Sequence, residues 1–402
     1  MDVNEQIRTI AKGALEVINR EELEVKLLRS LEEGRSLTVK LGLDPTAPDI
    51  HLGHTVVLRK IRQMQDMGHR AVIIIGDFTG MIGDPTGRSK MRKQLSREEV
   101  LENAETYNKQ IFKILDAGKT EVRFNSEWLS RLNFREVIEL ASKYSVSRML
   151  EREDFKNRYR AYETIGIHEF FYPLMQAYDS IAIKADIELG GNDQRFNILL
   201  GRQLQKDYGQ ESQVALFMPI LEGIDGGEKM SKSLGNYIGI DEEPEVMYEK
   251  VMSIPDGLIV KFFELATDVH PDEIDGIRAE LEEDSINPRD VKMRLAREIT
   301  ALYHGEEKAG TAEERFRTVF QKKQLPGEMK EVTVKKGDAV DLAGLLAEAG
   351  LAPSKSEARR LIAQGAVKLN GMSAGQAGAC TPADGDVLQV GKRSFARLRV
   401  TT

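Results

Sequence analysis

His51-Leu52-Gly53-His54 and Lys229-Met230-Ser231-Lys232-Ser233 are two stretches of this chain whose residue types and spacing could act on a phosphate. Imidazole N–H and lysine ammonium groups donate to phosphoryl oxygens, and a glycine lets a ligand approach the backbone closely. A third group, Tyr172, Gln176 and Asp179, is spaced i, i+4 and i+7, so a helix carries all three on one face. A buried aromatic stripe with a polar rim is the plainer account of that spacing. Yet Tyr, Gln and Asp each need a polar partner when buried, and they suit a pocket that hydrogen-bonds a polar ligand. The HxxH pair taken alone is more often a solvated helix start than a contact. As a metal site it is weaker still, because neither a cysteine nor a tight carboxylate cluster accompanies it, and no metal ligands are expected.

The elements that must hold these residues follow from periodicity. Residues 37–43 (LTVKLGL) alternate and read as a strand, which the Asp- and Pro-rich run from Asp44 ends. From His51 the pattern is helical, with Leu52, Val56, Ile61 and Met64 available for a buried face. Strand, loop and helix N-terminus together form an anion site, since free backbone N–H groups point at the ligand. Residues 71–76 (AVIIIG) read as a strand buried on both faces, so strand, helix and strand make a βαβ unit and point to a parallel, Rossmann-like sheet. Absence of GxGxxG after the first strand argues against dinucleotide binding.

The following loop, GDFTGMIGDPTGRSKMRK, offers Arg88, Lys90, Arg92 and Lys93 as a basic lid over a polyanion, or simply as a solvated loop. Ser96 and Glu99 have capping-box spacing and predict a helix to about residue 116. Residues 121–125 read as a strand, 128–164 as a helical insertion, and 168–183 as a helix with an internal proline. Residues 186–189 then form a strand entering Gly190-Gly191-Asn192-Asp193-Gln194, a glycine turn where a carboxylate can accept from ribose hydroxyls. A strand at 214–220 leads into the KMSKS loop, whose Gly223, Gly226, Gly227 and Gly235 suggest flexibility. The predicted division is a catalytic domain over 1–240, a helical domain over 241–327, a linker over 328–337 and a small α+β unit over 338–402. That last unit should contain helices at 341–349 and 357–364 and turns at Asn370-Gly371 and Asp384-Gly385.

A chain of 402 residues can hold two or three domains with sizeable cores. At 41% hydrophobic and 30% charged it reads as globular. No apolar run approaches the roughly 18 residues of a membrane helix, and the N-terminus lacks a signal-peptide core, so a cytoplasmic location is expected. The single cysteine, Cys380, precludes an internal disulfide. The net charge of −8 hides an asymmetry: residues 338–402 carry net +2, leaving −10 on the rest. A small basic module on an acidic body permits a local nucleic-acid contact.

Together HLGH and KMSKS resemble the paired signatures of class I aminoacyl-tRNA synthetases. DPTAPDIHLGH, GDPTG, YPLMQAYD, GGNDQ and KMSKS occur in the order seen in bacterial tyrosyl-tRNA synthetases. The segment LLAEAGLAPSKSEARRLIAQGAVKLNG resembles the RNA-binding module named after ribosomal protein S4. The resemblance spans essentially the whole chain, and it implies a tyrosine–tRNA ligase that makes tyrosyl-adenylate from L-tyrosine and ATP and passes tyrosine to its tRNA. It further implies Mg2+ carried on ATP, no tightly bound cofactor, and a homodimer; in the sequence the apolar region 155–171 reads equally well as an interface or as structural core.

Carried over position by position, the resemblance implies that Asp179 accepts the phenolic OH. Tyr172, Gln176 and Asp84 hold the substrate ammonium, with Gln194 near the amino acid and phosphate. Gly191 and Asp193 contact the ribose. His51, His54 and Thr46 serve the ATP phosphates and ribose, beside Asp44 and Gly53. Arg88, Arg92, Lys229 and Lys232 close over the pyrophosphate, and Lys355, Arg359 and Arg360 bind RNA. The chain departs from the pattern at Lys40 and Leu41, where many members place Tyr and Cys, and at Val57, where a threonine is common. A tryptophanyl-tRNA synthetase would share the fold and both signatures, but not YxxxQxxD or the C-terminal module. A synthetase-derived RNA-binding scaffold would not need His51, His54, Asp84, Asp179, Lys229 and Lys232 all intact.

Overall fold

The computed structural model describes residues 1–43, 50–84, 109–321, 329–335, 340–370, 372–373, 379–380, 383–391 and 394–401. The chain divides into two compact units, Met1–Gly310 and Thr311–Thr402.

The first unit opens with helix α1 (Val3–Ala11), strand β1 (Glu16–Ile18) and helix α2 (Arg20–Glu33). Asn19 caps α2 at its start, and Gly34, at φ 64°, ends it. The sequence reading has no strand before residue 34. Three residues carry no usable period, and β1 exists only because it pairs antiparallel with a later edge. Strand β2 (Thr38–Leu43), helix α3 (Leu52–Asp66) and strand β3 (Arg70–Ile75) form the expected βαβ unit. Leu52, Val56, Ile61 and Met64 supply the buried face of α3, each at most 2% exposed. After helix α4 (Thr79–Ile82), the described chain resumes with helical residues 109–111, which stop short of the expected 116. Strand β4 (Thr120–Phe124) follows.

The insertion is helical as expected: α5 (Ser126–Leu129), α6 (Phe134–Ser142), α7 (Val146–Met149) and α8 (Glu153–Arg160). Next come α9 (Phe171–Ile183), β5 (Ile187–Gly191), α10 (Arg195–Asp207) and β6 (Val214–Met218). Residues 167–170 form a separate 3-10 turn, so Pro173 lies in the first turn of α9 rather than inside a longer helix. There its missing N–H would have had no intrahelical acceptor. Leu140, Met149 and Phe155 of the insertion pack on Leu174, Met175 and Ala177 of α9 and on Leu200 and Leu204 of α10.

The six-stranded sheet has the order β1-β6-β5-β2-β3-β4, parallel except for β1. The chain runs outward from β2 in one direction to β4 and then returns to β5 on the other side. This reversal creates a crevice at the carboxyl ends of β2 and β5, the place where open α/β sheets bind ligands.

Helices α11 (Pro244–Met252), α12 (Ile259–Ala266), α13 (Pro271–Glu282) and α14 (Pro288–His304) complete this unit. Three of them begin with proline, whose fixed φ suits a first turn. The sequence sets these helices apart as a domain, whereas here they are part of the same compact unit as the sheet. Tyr303 of α14 donates to Thr55 Oγ1 of α3 at 3.1 Å, one residue beyond His54. Among the described residues, no helix is long and apolar enough to cross a membrane.

In the second unit, β7 (Lys330–Lys335) occupies the segment expected to be a linker and pairs in parallel with a later strand. After β8 (Val340–Asp341) come α15 (Leu342–Glu348) and α16 (Lys355–Ala363), then β9 (Val367–Leu369), β10 (Met372–Ser373), β11 (Ala379–Cys380), β12 (Val387–Val390) and β13 (Ser394–Thr401). The five-stranded order β10-β9-β12-β13-β7 packs on the two helices through Val332, Leu345, Leu346, Ile362, Leu388 and Leu398. The alternation Val332-Val334 that seats β7 lies within six residues, short enough to pass for linker.

Candidate active site

At the carboxyl ends of β2 and β5 lies a cavity of about 590 Å³, lined by Leu41, Gly42, His51, Gly53, His54, Asp84, Gln176, Glu188, Gly190, Gly191, Asp193, Gln194, Lys229 and Met230 among others. Its size is typical of a small-molecule site. Residues from four separate motifs of the sequence converge on it: His51, Gly53 and His54; Asp84; Gly191, Asp193 and Gln194; and Lys229. Gln176 joins them from α9.

His51 is the N-cap of α3, and its backbone N–H donates to His54 Nδ1 at 3.4 Å. The two rings stack with centroids 3.9 Å apart. Burial, then the neighbouring His54 and Lys232, push His51 down to about pKa 3, and burial followed by Lys232 lowers His54 as well. Both imidazoles are therefore neutral near pH 7, and each presents one N–H and one lone pair. Among the described residues the Nδ1 atom of His51 is buried without a hydrogen-bond partner, a polar atom that a ligand can satisfy.

Gly53 makes this stack possible. A Cβ there would sit 3.0 Å from both Nδ1 and Cε1 of His51 and 3.5 Å from the Met230 Cβ. In Gly53→Ala the His51 ring has to move, while alanine favours the helix by up to about 1 kcal/mol. The expected result is a melting temperature that holds or rises while the ATP-dependent activity that the sequence resemblance implies falls at least roughly tenfold, about 1.4 kcal/mol. Thermal unfolding and pyrophosphate exchange on the same preparation check it.

The KMSKS loop is tied to α3 through the backbone that follows it. Leu52 N donates to Ile238 O at 2.9 Å, and His51 and Gly239 form an antiparallel bridge. The loop itself is organised around Asn236, which the sequence reading does not single out. Its Oδ1 accepts from Ser231 N at 2.8 Å, and its Nδ2 donates to Asp225 Oδ2 at 2.8 Å and to Lys229 O at 3.2 Å. A Cβ at Gly223 would lie 2.3 Å from the Asn236 amide, and one at Gly226 would lie 2.4 Å from Pro255. Those two glycines thus serve close packing rather than loop freedom. Lys232 does not line the cavity, but its Nζ is 5.7 Å from the Tyr237 ring centroid, which is in turn 6.3 Å from that of His51.

On the other flank, Asp84 is gripped by Arg152 Nη2 at 3.1 Å and by Gln194 Nε2 at 3.1 Å. Arg152 comes from the helical insertion, is 5% exposed, and also reaches Asn197 Oδ1 at 3.2 Å. Asn197 in turn donates to Gln176 Oε1 at 2.9 Å and to Gln194 Oε1 at 3.0 Å. A Cβ at Gly191 would fall 2.4 Å from Asp193 Oδ1, so a larger residue there would displace that carboxylate.

Tyr172 and Asp179 share the α9 face with Gln176, but both are buried and neither lines the cavity. Asp179 accepts from Trp128 Nε1 at 2.8 Å and from Asn125 Nδ2 at 3.3 Å. Burial drives its pKa up to about 7, opposed by Lys40 and by those two donors. Trp128, the chain's single tryptophan, and Asn125 escape the sequence reading, as does Arg152 within a run of alternating charges. Asp44, Thr46, Arg88, Lys90, Arg92, Lys93 and the Ser96 capping box lie outside the described residues. In the second unit, Lys355, Arg359 and Arg360 are exposed on α16, and Arg360 pairs with Glu357 at 2.5 Å.

Residues 32–321 match the family described as tRNA synthetases class I (W and Y), and residues 342–377 match the S4 domain. The chain is 61% identical over 399 residues to tyrosine–tRNA ligase 2 of Clostridium acetobutylicum, covering 99% of both chains. It is 58% identical to the tyrosine–tRNA ligase of Moorella thermoacetica, covering 99% of this chain and 96% of that one. Among solved structures, it resembles the tyrosyl-tRNA synthetase of Archaeoglobus fulgidus in complex with L-tyrosine, with a TM-score of 0.60 and 25% identity over 78% of this chain and all of that one. A C-terminally truncated mitochondrial tyrosyl-tRNA synthetase of Aspergillus nidulans shares the fold, with a TM-score of 0.64 and 23% identity over 79% of this chain and 94% of that one.

Proposed function

This chain belongs to the class I tyrosine–tRNA ligases, and from that premise we propose how its residues divide the work. It uses ATP, L-tyrosine and tRNA. The substrate carboxylate attacks the α-phosphorus of ATP, pyrophosphate leaves, and a ribose hydroxyl at the tRNA end then takes the tyrosyl group. Neither step needs an enzyme nucleophile, so catalysis rests on positioning and on stabilising charge as it moves to the leaving group.

The observation that carries this reading is the convergence of His51, His54, Asp84, Gln176, Asp193, Gln194 and Lys229 on one cavity. Neutral His51 and His54 donate to ATP phosphate and ribose oxygens, with Thr46 beside them. Gly191 and Asp193 hold the ribose. Tyr172, Gln176 and Asp84 take the ammonium, with Gln194 near it. Asp179 accepts the phenolic OH. Arg88, Arg92, Lys229 and Lys232 act on the pyrophosphate. ATP brings Mg2+ on its phosphates as part of the substrate. Pyrophosphate exchange with tyrosine, phenylalanine and tryptophan tests the reading, and exchange driven equally well by tryptophan would overturn it.

The S4 unit, joined to a body that holds every candidate catalytic residue, is assigned to tRNA, and helices α11–α14 to the anticodon side. Arg359 is the better-placed contact of the adjacent arginines, since Arg360 already engages Glu357. Arg359→Gln should weaken tRNA binding and lower the salt slope of log K by about one, with pyrophosphate exchange unchanged. Filter binding across a salt series checks it.

A cytoplasmic homodimer completes the proposal. Phe155 of the expected interface region is 0% exposed and belongs to the core. Exposed apolar residues in and before this stretch are instead Phe134, Ile138, Val146, Tyr159, Tyr162 and Ile167, and they make the better candidate face. The solution mass of the full chain tests the dimer.

A further inference from the structure

Lys40 stands in the middle of β2 and is 0% exposed. Its ammonium is fully engaged: 2.8 Å from Glu188 Oε1, 2.7 Å from Ser180 Oγ and 3.1 Å from the Gln176 carbonyl. Lys40 and Glu188 are register partners on β2 and β5, so the ion pair spans the two strands whose ends form the crevice. Glu188 Oε2 also accepts from Ser180 Oγ at 3.0 Å and from Gln213 Nε2. Gly201 of α10 leaves room for this, since a Cβ there would be 2.9 Å from Gln213 Nε2 and 3.1 Å from Ser180 Oγ.

A buried ion pair is a poor way merely to glue a helix to a sheet. The desolvation of both charges offsets their attraction, and apolar residues of similar volume hold such elements at least as well. What distinguishes this pair is where it acts. Both acceptors on α9, Gln176 and Ser180, flank Asp179. We propose that Lys40 and Glu188 are positioning residues for tyrosine recognition: they clamp the Asp179-bearing face of α9 against the sheet and set the charge behind that carboxylate. This rests on Asp179 being the acceptor of the substrate phenol. Around Asp179 the charged and polar groups are Lys40 from β2, Glu188 from β5, Trp128 from α5, and Asn125, whose Nδ2 also donates to Thr79 Oγ1 at 3.0 Å. Asp77, the neighbouring carboxylate, is occupied by Ser126.

Since Lys40 favours the ionised carboxylate and Glu188 opposes it, their removal must act in opposite directions. Equilibrium binding of tyrosine to the full chain, followed from about pH 5 to about pH 9, reads this out. Affinity should fall on the acid side as Asp179 takes up a proton. Lys40→Met should move that limb to higher pH and Glu188→Gln to lower pH, each by up to roughly tenfold in proton affinity. The double variant Lys40→Met/Glu188→Met removes both charges while keeping the volume filled, and should lie between the singles, on the alkaline side of the parent. Asp179→Asn should abolish the limb. A limb that vanishes in Asp179→Asn, yet stays in place in Lys40→Met and in the double variant, overturns the role of the pair and leaves the phenol assignment standing. A limb that persists in Asp179→Asn overturns both.

Discussion

Asp179→Asn is expected to make the protein more stable and a worse enzyme at the same time. The carboxyl is 3% exposed and its pKa is driven up to about 7, chiefly by burial. Its folded-state pKa therefore lies above the unfolded value of about 3.9. Between those limits the folded state holds the proton more tightly, so stability falls as pH rises from about 4 and is lowest above about 7. The stability lost through the raised pKa of Asp179 is on the order of 4 kcal/mol near pH 8 and roughly a third of that near pH 5. Asparagine resembles the neutral acid, can still accept from Trp128, and removes that cost. Its melting temperature should exceed the parent's clearly near pH 8, with the gain shrinking as pH falls. Tyrosine activation should drop by about a hundredfold, because a charged acceptor for the phenol has become a neutral one. Activation of phenylalanine, which has no hydroxyl to pair, should hardly fall. Thermal unfolding across pH and pyrophosphate exchange with both amino acids decide it. A pH-independent stability difference would mean that Asp179 is not the buried anion described above.

That an active site should store such a penalty explains which parts of it were legible. The βαβ core could be read because its period is long and unbroken: four apolar positions on α3 and a continuous run in β3 admit one burial pattern. His51, His54, Asp193 and Lys229 could be read because each sits in a short motif whose backbone context is local. The residues that set the site's electrostatics could not. Arg152 reaches Asp84 across 68 positions, and Trp128 reaches Asp179 across 51. Such contacts depend on how the insertion packs on α9, and a run of alternating charges says nothing about which arginine turns inward. Lys40 is visible in the sequence only as a departure from the family pattern; its partner Glu188 comes from the strand across the crevice. The same limit hid β1 and β7, whose short runs become strands only when a distant edge accepts them.

Lys232→Ala should lower the rate of adenylate formation while leaving tyrosine affinity nearly unchanged. Lys229 and Lys232 differ in a way the sequence does not show. Lys229 lines the cavity, and its backbone carbonyl is held by Asn236. Lys232 begins the 3-10 turn Lys232–Leu234 outside the cavity, closed by Gly235 at φ 68°, and is exposed. Its charge nonetheless bears on both signature histidines, lowering their proton affinity. With the loop base held by Asn236, the proposed contact with pyrophosphate is expected to come from movement of the long Lys232 side chain rather than of the whole loop. Contact made only as charge builds on the leaving group stabilises the transition state more than bound ATP, which raises the rate rather than the affinity. Losing one such charged donor should cost on the order of 3 kcal/mol, about a hundredfold in rate. A second signature follows from the electrostatics, since removing the charge should raise the proton affinity of His51 and His54. Pre-steady-state measurement of adenylate formation, with titration of the two imidazoles by NMR, tests both. An unchanged forward rate constant with only weaker ATP binding would show that Lys232 holds the ground state, and unmoved imidazole titrations would show that it never approaches the histidines at all.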